Sequence, residues 1–145
     1  MGEKVNIEFR KGLEKKRIVH FPKAKNLVKK EIKSASDDLH EAIDRFKNKK
    51  FKYATITAYY SMFHTARAFI YSRGYREKSH YYLLVALQAL FVESGILEES
   101  LVREFHAAMV LREDADYHAD FSREGAESTI ESAEQFIKKA KELLK

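Results

Sequence analysis

The chain has no cysteine, which rules out a disulfide framework and a thiolate-rich metal site and makes a reducing compartment harmless to it. Proline occurs once, at position 22, and glycine five times in 145 residues, so few positions interrupt a helix. No segment stays uncharged long enough to span a bilayer, and Met1 to His20 alternates charged with apolar residues without a continuous apolar stretch. The expectation is a protein neither secreted nor membrane-embedded, with the cytoplasm as its default location. Also missing are an internal repeat, a low-complexity tract, a glycine-rich phosphate loop and any strand-like alternation long enough to build a sheet. The histidines, His20, His40, His64, His80, His106 and His118, include no His-x-x-x-His pair and no His-Glu-x-x-His motif, so neither a metal nor a cofactor is expected.

What is present is charge and helix-forming sequence. Hydrophobic residues make up 45% and charged residues 34%, a balance that suits a single compact domain with one core. The formal charge of +5 is unevenly spread: residues 1–30 hold ten Lys/Arg against three Asp/Glu, and residues 93–145 hold seven against thirteen. Such asymmetry can steer a polyanion to one end, although charge runs on helices are more often plain solvated faces.

Apolar spacing predicts an all-α fold, an up-and-down antiparallel bundle of four to five helices over residues 22–145. A basic segment over 1–21 precedes it, with a short helix around Ile7 to Lys16. The first long helix follows Pro22, carries Leu27, Ile32, Ala35, Leu39, Ala42, Ile43 and Phe46 at helical spacing, and closes at Asn48-Lys49-Lys50. The second runs from about Phe51 to Arg73 with Gly74 as a left-handed cap. The third runs from Ser79 as N-cap to about Ser94, before Gly95, and its apolar run from Leu83 to Leu90 predicts burial on most sides. The fourth covers about Glu98 to Tyr117 and the fifth about Ser122 to Leu144. Short links between long amphipathic helices favour antiparallel neighbours.

On the second helix, Tyr53, Thr57, Tyr60, His64, Arg67 and Tyr71 share one narrow stripe, a polar seam on a mostly apolar helix. Two readings stay open. Either the tyrosines bury their rings and wet their hydroxyls beside a satisfied His64 and Arg67, or the seam lines a groove where a cation meets a phosphate and rings stack on a base. On the fourth helix Arg112 shares a face with Leu101, Phe105 and Ala108, where the pattern asks for an apolar residue. Asp116, one turn on, offers it an intrahelical partner; alternatively Arg112 faces an inter-subunit cleft and a phosphate. The acidic group Glu113, Asp114, Asp116 and Asp120 lacks the spacing of a calcium loop and reads as a solvated helix end.

Three blocks carry a family likeness: Ala58-Tyr59-Tyr60-Ser61-Met62-Phe63-His64-Thr65-Ala66-Arg67-Ala68, the Lys78-Ser79-His80 opening of the third helix, and Leu111-Arg112-Glu113-Asp114-Ala115-Asp116-Tyr117-His118. Together they resemble the HEPN family, and more narrowly its small stand-alone prokaryotic branch. Many HEPN ribonucleases carry an arginine and a histidine separated by four to six residues, and five residues separate Arg112 from His118. The resemblance implies a homodimer in which two such motifs face each other, with metal-independent cleavage that leaves a cyclic phosphate. Arg112 would then stabilise charge on the scissile phosphate and His118 would handle a proton. It further implies contacts to RNA or a nucleotide from Tyr60, His64, Arg67, Lys78, His80, Asp116 and Tyr117, and a nucleotidyltransferase-family antitoxin as partner. A second reading is a non-catalytic nucleotide-binding or partner-binding subunit of a nucleotidyltransferase complex, and a third is a plain dimerisation module. Two positions depart from the toxin pattern: Glu113 follows the arginine, and Asp120 stands two positions after the histidine, where relatives often carry a polar residue and a tyrosine.

Overall fold

Several helix boundaries follow from local chemistry. The computed structural model describes residues 2–144; Met1 and Lys145, the outermost residues of the two segments expected above, lie outside them. The described helices are α1 (Gly2–Glu14), α2 (Val28–Lys47), α3 (Phe51–Ser72), α4 (His80–Leu87), α5 (Glu99–His118) and α6 (Arg123–Leu143). Pro22 opens a 3₁₀ stretch, Pro22–Leu27, that leads into α2. Gly74, at φ 78°, supplies the left-handed turn after α3, and the Ser79 and Ser122 hydroxyls accept from Tyr82 N–H and Gly125 N–H to cap α4 and α6. Ala119 takes the left-handed conformation at the end of α5, where its N–H and that of Asp120 both bond to the Asp114 carbonyl.

Helix α3 is the centre of the molecule, packed against α2, α5, α6 and α4. Its pairs with α2 run in reverse order, Arg45 with Thr57, Ala35 with Ser61 and Glu31 with His64, so the two helices are antiparallel. Alanines buried at 35, 42, 54, 58, 66 and 68 allow close approach of these helices. The polar groups in this seam are satisfied: Ser61 Oγ donates to the Ala35 carbonyl at 2.7 Å, and Thr55 and Thr65 donate to carbonyls one turn back. On the other side Tyr59, Phe69, Phe105 and Phe136 form the aromatic core between α3, α5 and α6, with Phe69 and Phe136 stacked at 5.6 Å. Burying each of these rings contributes roughly 1.5–3 kcal/mol. The result is the up-and-down helical bundle that the apolar spacing predicts.

Three details differ from that expectation. Helix α1 starts earlier and ends at Glu14, before Lys16 at φ 57° reverses the chain. The single helix predicted over 79–94 instead passes from α4 into a π turn, Gln88–Val92, whose wider coil sets Phe91 against Phe69 at 5.1 Å. A sheet, not expected at all, is formed by β1 (Ile18–His20) and β2 (Tyr75–Glu77), antiparallel, with Ile18 opposite Glu77 and His20 opposite Tyr75. Three-residue strands are too short to leave a period in the sequence. This ribbon and the packing of α1 on α4 fasten the N-terminal segment to the bundle. Among the described residues no helix is long and apolar enough to cross a membrane.

Candidate functional site

The middle of α3, the start of α4 and the end of α5 converge on one cluster. Arg112 reaches from α5 to α3, where Nη2 donates to the Tyr60 hydroxyl at 2.7 Å. Its guanidinium carbon lies 5.4 Å from the centres of both the Tyr59 and Tyr60 rings and 5.7 Å from that of Tyr117. The Asp116 pair anticipated from spacing does not form: among the described residues no carboxylate lies within ion-pair distance of Arg112. Nε of Arg112 is buried without a hydrogen-bond partner. Burial works against its charge, yet the Tyr60 hydroxyl and the surrounding rings leave the guanidinium holding its proton more firmly than usual. The outcome is a fixed cation, fully charged, whose remaining donors are not consumed by a counter-ion.

Tyr59 links this cation to α4. Its ring stacks between His80 at 5.9 Å and Phe105 at 5.8 Å, and its hydroxyl is 2.5 Å from His80 Nδ1. Burial pushes the Tyr59 hydroxyl well above its ordinary range, and burial, then the nearby Arg112 and Arg67 charges, hold His80 below the usual imidazole value. A neutral imidazole beside a protonated phenol accepts at Nδ1, which leaves the ring proton on Nε2. His80 also stacks on Phe63 at 4.9 Å, and the Arg67 guanidinium lies over the other part of that aromatic array, 4.5 Å from the Phe63 centre.

Arg67 is itself pinned. Its Nε donates to both Glu77 oxygens, at 3.3 and 3.1 Å, and Nη2 lies 3.1 Å from Oε2, with the Glu77 side chain almost entirely buried. Burial raises the Glu77 carboxyl above the usual carboxylate range, against the opposing pull of Arg67. Arg67, Arg76, Lys78 and His80 line an open recess of about 520 Å³ floored by Phe63, with Glu77 as its one acidic wall residue.

The structure therefore brings Tyr60, Arg112 and Tyr117 into one cluster, joins His80 to it through Tyr59, and sets Arg67, Lys78 and His80 around the adjoining recess. It does not bring in His64, whose ring bonds to Glu31 at 2.6 Å and lies 3.7 Å from Asp38, on the α2 side. Asp116 and His118 are exposed at the outer end of α5. Six positions along one helix rotate His118 roughly 120° away from Arg112 and carry it about 9 Å along the axis, so within one chain the two do not share a face. Tyr59, Phe63, Glu77 and Arg76 belong to the site but were not singled out from sequence. Tyr59 sits one helical step off the polar stripe, and the only signal for it was its place in the Ala-Tyr-Tyr block.

The HEPN domain matches residues 28–144 of this chain. A Methanocaldococcus jannaschii protein named as a candidate toxin is 35% identical over 115 residues, which make up 79% of this chain and 86% of that protein. A second candidate toxin of the same organism is 25% identical over 122 residues, 83% of either chain. A UPF0332 protein of Archaeoglobus fulgidus is 29% identical over 112 residues, 76% of this chain and 89% of its own length.

Proposed function

The chain belongs to the HEPN domain family, and from that premise we propose that it is a metal-independent endoribonuclease of toxin type, active as a homodimer and neutralised by a nucleotidyltransferase-family antitoxin. The observation that carries this reading is Arg112, a cation held by three tyrosine rings and one hydroxyl with no carboxylate among the described residues to neutralise it. A phosphodiester passing to its pentavalent transition state gains negative charge, and a preorganised guanidinium in a partly desolvated setting stabilises that charge without first releasing a counter-ion. In the proposed reaction the substrate 2′-oxygen attacks phosphorus, its proton leaves to a base, the bond to the 5′-oxygen breaks, and that oxygen takes up a proton. The products are a 2′,3′-cyclic phosphate and a 5′-hydroxyl. His118 is the proposed proton carrier, since imidazole suits both directions near neutral pH.

Dimerisation follows from the same argument. Arg112 and His118 diverge within one chain, so a second copy is needed to supply one beside the other. Val110, Tyr117 and Phe121, exposed to 47, 69 and 48%, are large apolar side chains left at solvent along and just past the end of α5, with Tyr117 beside Arg112, and they suit such an interface. The test is cleavage of RNA by purified protein with chelator present. Loss of cleavage in Arg112→Ala and in His118→Ala, with cyclic phosphate ends from the wild type, is the expected result; intact RNA after incubation with folded wild type refutes the proposal.

A second reading has its own observation. The recess around Arg67, Lys78 and His80 suits a nucleotide phosphate in a non-catalytic subunit of a nucleotidyltransferase complex, with Tyr60 and Tyr117 in the adjoining Arg112 cluster and with His64 and Asp116, which stand apart from both, left out of the set. It predicts calorimetric heat with mononucleotides that is lost in Arg67→Gln, and absence of heat in the wild type rejects it.

A further inference from the structure

The N-terminal segment carries much of the chain's positive charge, and the ribbon delivers part of it to the site. Alternation along β2 turns Glu77 inward to Arg67 and leaves Arg76 and the following Lys78 exposed. Past the pair of Ile18 with Glu77, the next position sets Arg17 opposite Lys78, with the Lys78 N–H donating to the Arg17 carbonyl at 2.8 Å. Arg17 is exposed as well. Three cations thus occupy the outer side of a very small ribbon, and among the described residues none of them is ion-paired. The guanidinium of Arg76 has an aromatic neighbour, Phe21 at 5.9 Å, and feels the Glu77 carboxylate only from a distance, since that group is paired with Arg67.

Like charges directly opposite on antiparallel strands destabilise the pairing. An arrangement that repels itself, with no ion pair to it among the described residues, is relieved by an external anion. The position specifies which anion: Arg76 and Lys78 also line the recess of Arg67 and His80, and the buried Tyr59, whose hydroxyl meets His80, has its ring 5.4 Å from the Arg112 guanidinium carbon. Arg76 and Lys78 stand about 7 Å apart along the strand, a reach suited to neighbouring phosphates along one nucleic-acid strand. Residue 17 lies before the segment matched by the HEPN domain, so this part of the charge is supplied from outside the matched region.

We infer that the outer face of the β1–β2 ribbon, formed by Arg17, Arg76 and Lys78, is a track for the phosphates of single-stranded RNA flanking the bond at Arg112. The inference rests on RNA as the ligand of the proposed site. The track reads backbone charge and no base, so it adds affinity uniformly across sequences.

The test is binding of a short single-stranded RNA made wholly of 2′-O-methyl nucleotides, which lacks the attacking hydroxyl, measured by fluorescence anisotropy across a salt series. Single-strand binding loses about 0.7 in the slope of log affinity against log salt for each phosphate contact removed. Arg17→Gln/Lys78→Gln is expected to flatten the slope by about 1.4 for every sequence tried. Lys138→Gln/Lys141→Gln, an equal charge change on exposed or half-exposed positions of α6, leaves the slope as in the wild type. Because the ribbon bonds are made by backbone groups and the opposed charges are gone, the double variant melts no lower than the wild type. A slope equal to that of the wild type, or a flattening equal to that of the α6 control, overturns the inference. Wild type that binds with the ribbon-dependent slope yet leaves cleavable RNA intact supports the track and removes the nuclease reading. Cleavage by the wild type with an unchanged slope in the ribbon variant does the reverse.

Discussion

Removing Arg67 should expose how much of the site depends on one buried carboxylate. Arg67→Met keeps an apolar side chain but deletes the guanidinium that lies 4.5 Å from the Phe63 centre, leaving Glu77 at 4% exposure without the donors that reach both its oxygens. Breaking a buried ion pair from one side costs about 3–5 kcal/mol. The Arg67 side chain is 24% exposed, and water around it screens part of that interaction, so about 2–3 kcal/mol is the expected loss near pH 8. For a chain of this size that lowers Tm by roughly 6–10 °C. Burial already raises the Glu77 carboxyl, and a raised folded value means stability is retained where the group is protonated and lost as pH climbs through that value. The deficit of Arg67→Met should therefore shrink as the pH is brought down to about 5. Glu77→Gln in the same background should recover more than about 1 kcal/mol, because the stranded charge is gone. Urea unfolding of the four proteins of this cycle at both pH values measures the coupling. Strictly additive effects, or a deficit indifferent to pH, would refute the account of Glu77 as an ionised group held by Arg67.

Three further outcomes follow from the geometry. Tyr60→Phe removes the oxygen 2.7 Å from Arg112 Nη2 and should lower the cleavage rate about tenfold, equivalent to about 1.4 kcal/mol, with an unchanged circular dichroism spectrum; an unchanged rate contradicts a positioning role for this hydroxyl. The folded value of His80 lies below the ordinary 6.5, so its contribution is complete above 6.5 and drains away as pH falls through the folded value. Thermal midpoints should drop in acid less steeply for His80→Gln than for the wild type, and parallel curves would exclude His80 as the group responsible. A Cβ at Gly12 would stand 2.7 Å from Ile18 Cδ1 and 2.8 Å from Tyr82 Cδ1, so Gly12→Ala should cost about 1–3 kcal/mol despite its better helix propensity. Hydrogen exchange in α1 should accelerate while exchange in α3 stays slow, and an unaltered α1 would mean the helix does not dock through this residue.

The parts of the fold legible in the sequence are those decided by neighbours a few residues away. Ser79 and Ser122 announce their helices because a cap bond spans three residues, and Gly74 ends α3 because its positive φ disfavours other residues. The broad apolar surface of α3 likewise forecasts its central place. What escaped is decided at long range. Asp116 looked like the partner of Arg112 because it lies one turn along the same helix, whereas the actual acceptor, the Tyr60 hydroxyl, comes from α3, 52 positions away. His64 shares its stripe with Tyr60 and Arg67, yet Glu31 and Asp38 of α2 take it to a different cluster. Glu77 carried no signal at all, since in sequence it is one more charged residue between Arg76 and Lys78.

The small sheet also has a consequence for the order of assembly. Its paired residues are 55 to 59 positions apart, while α2 with α3, and α5 with α6, are joined by links of a few residues. Closing a long loop is entropically later than closing short ones, and a ribbon of three pairs returns little free energy for it. The Arg112–Tyr60 pair spans 52 positions, nearly as many, but it is carried by long helices that share the buried core, whereas the ribbon has three pairs to offset its closure. The basic outer face is therefore the more weakly held piece, and its local opening would lower affinity for a polyanion while the bundle stays folded.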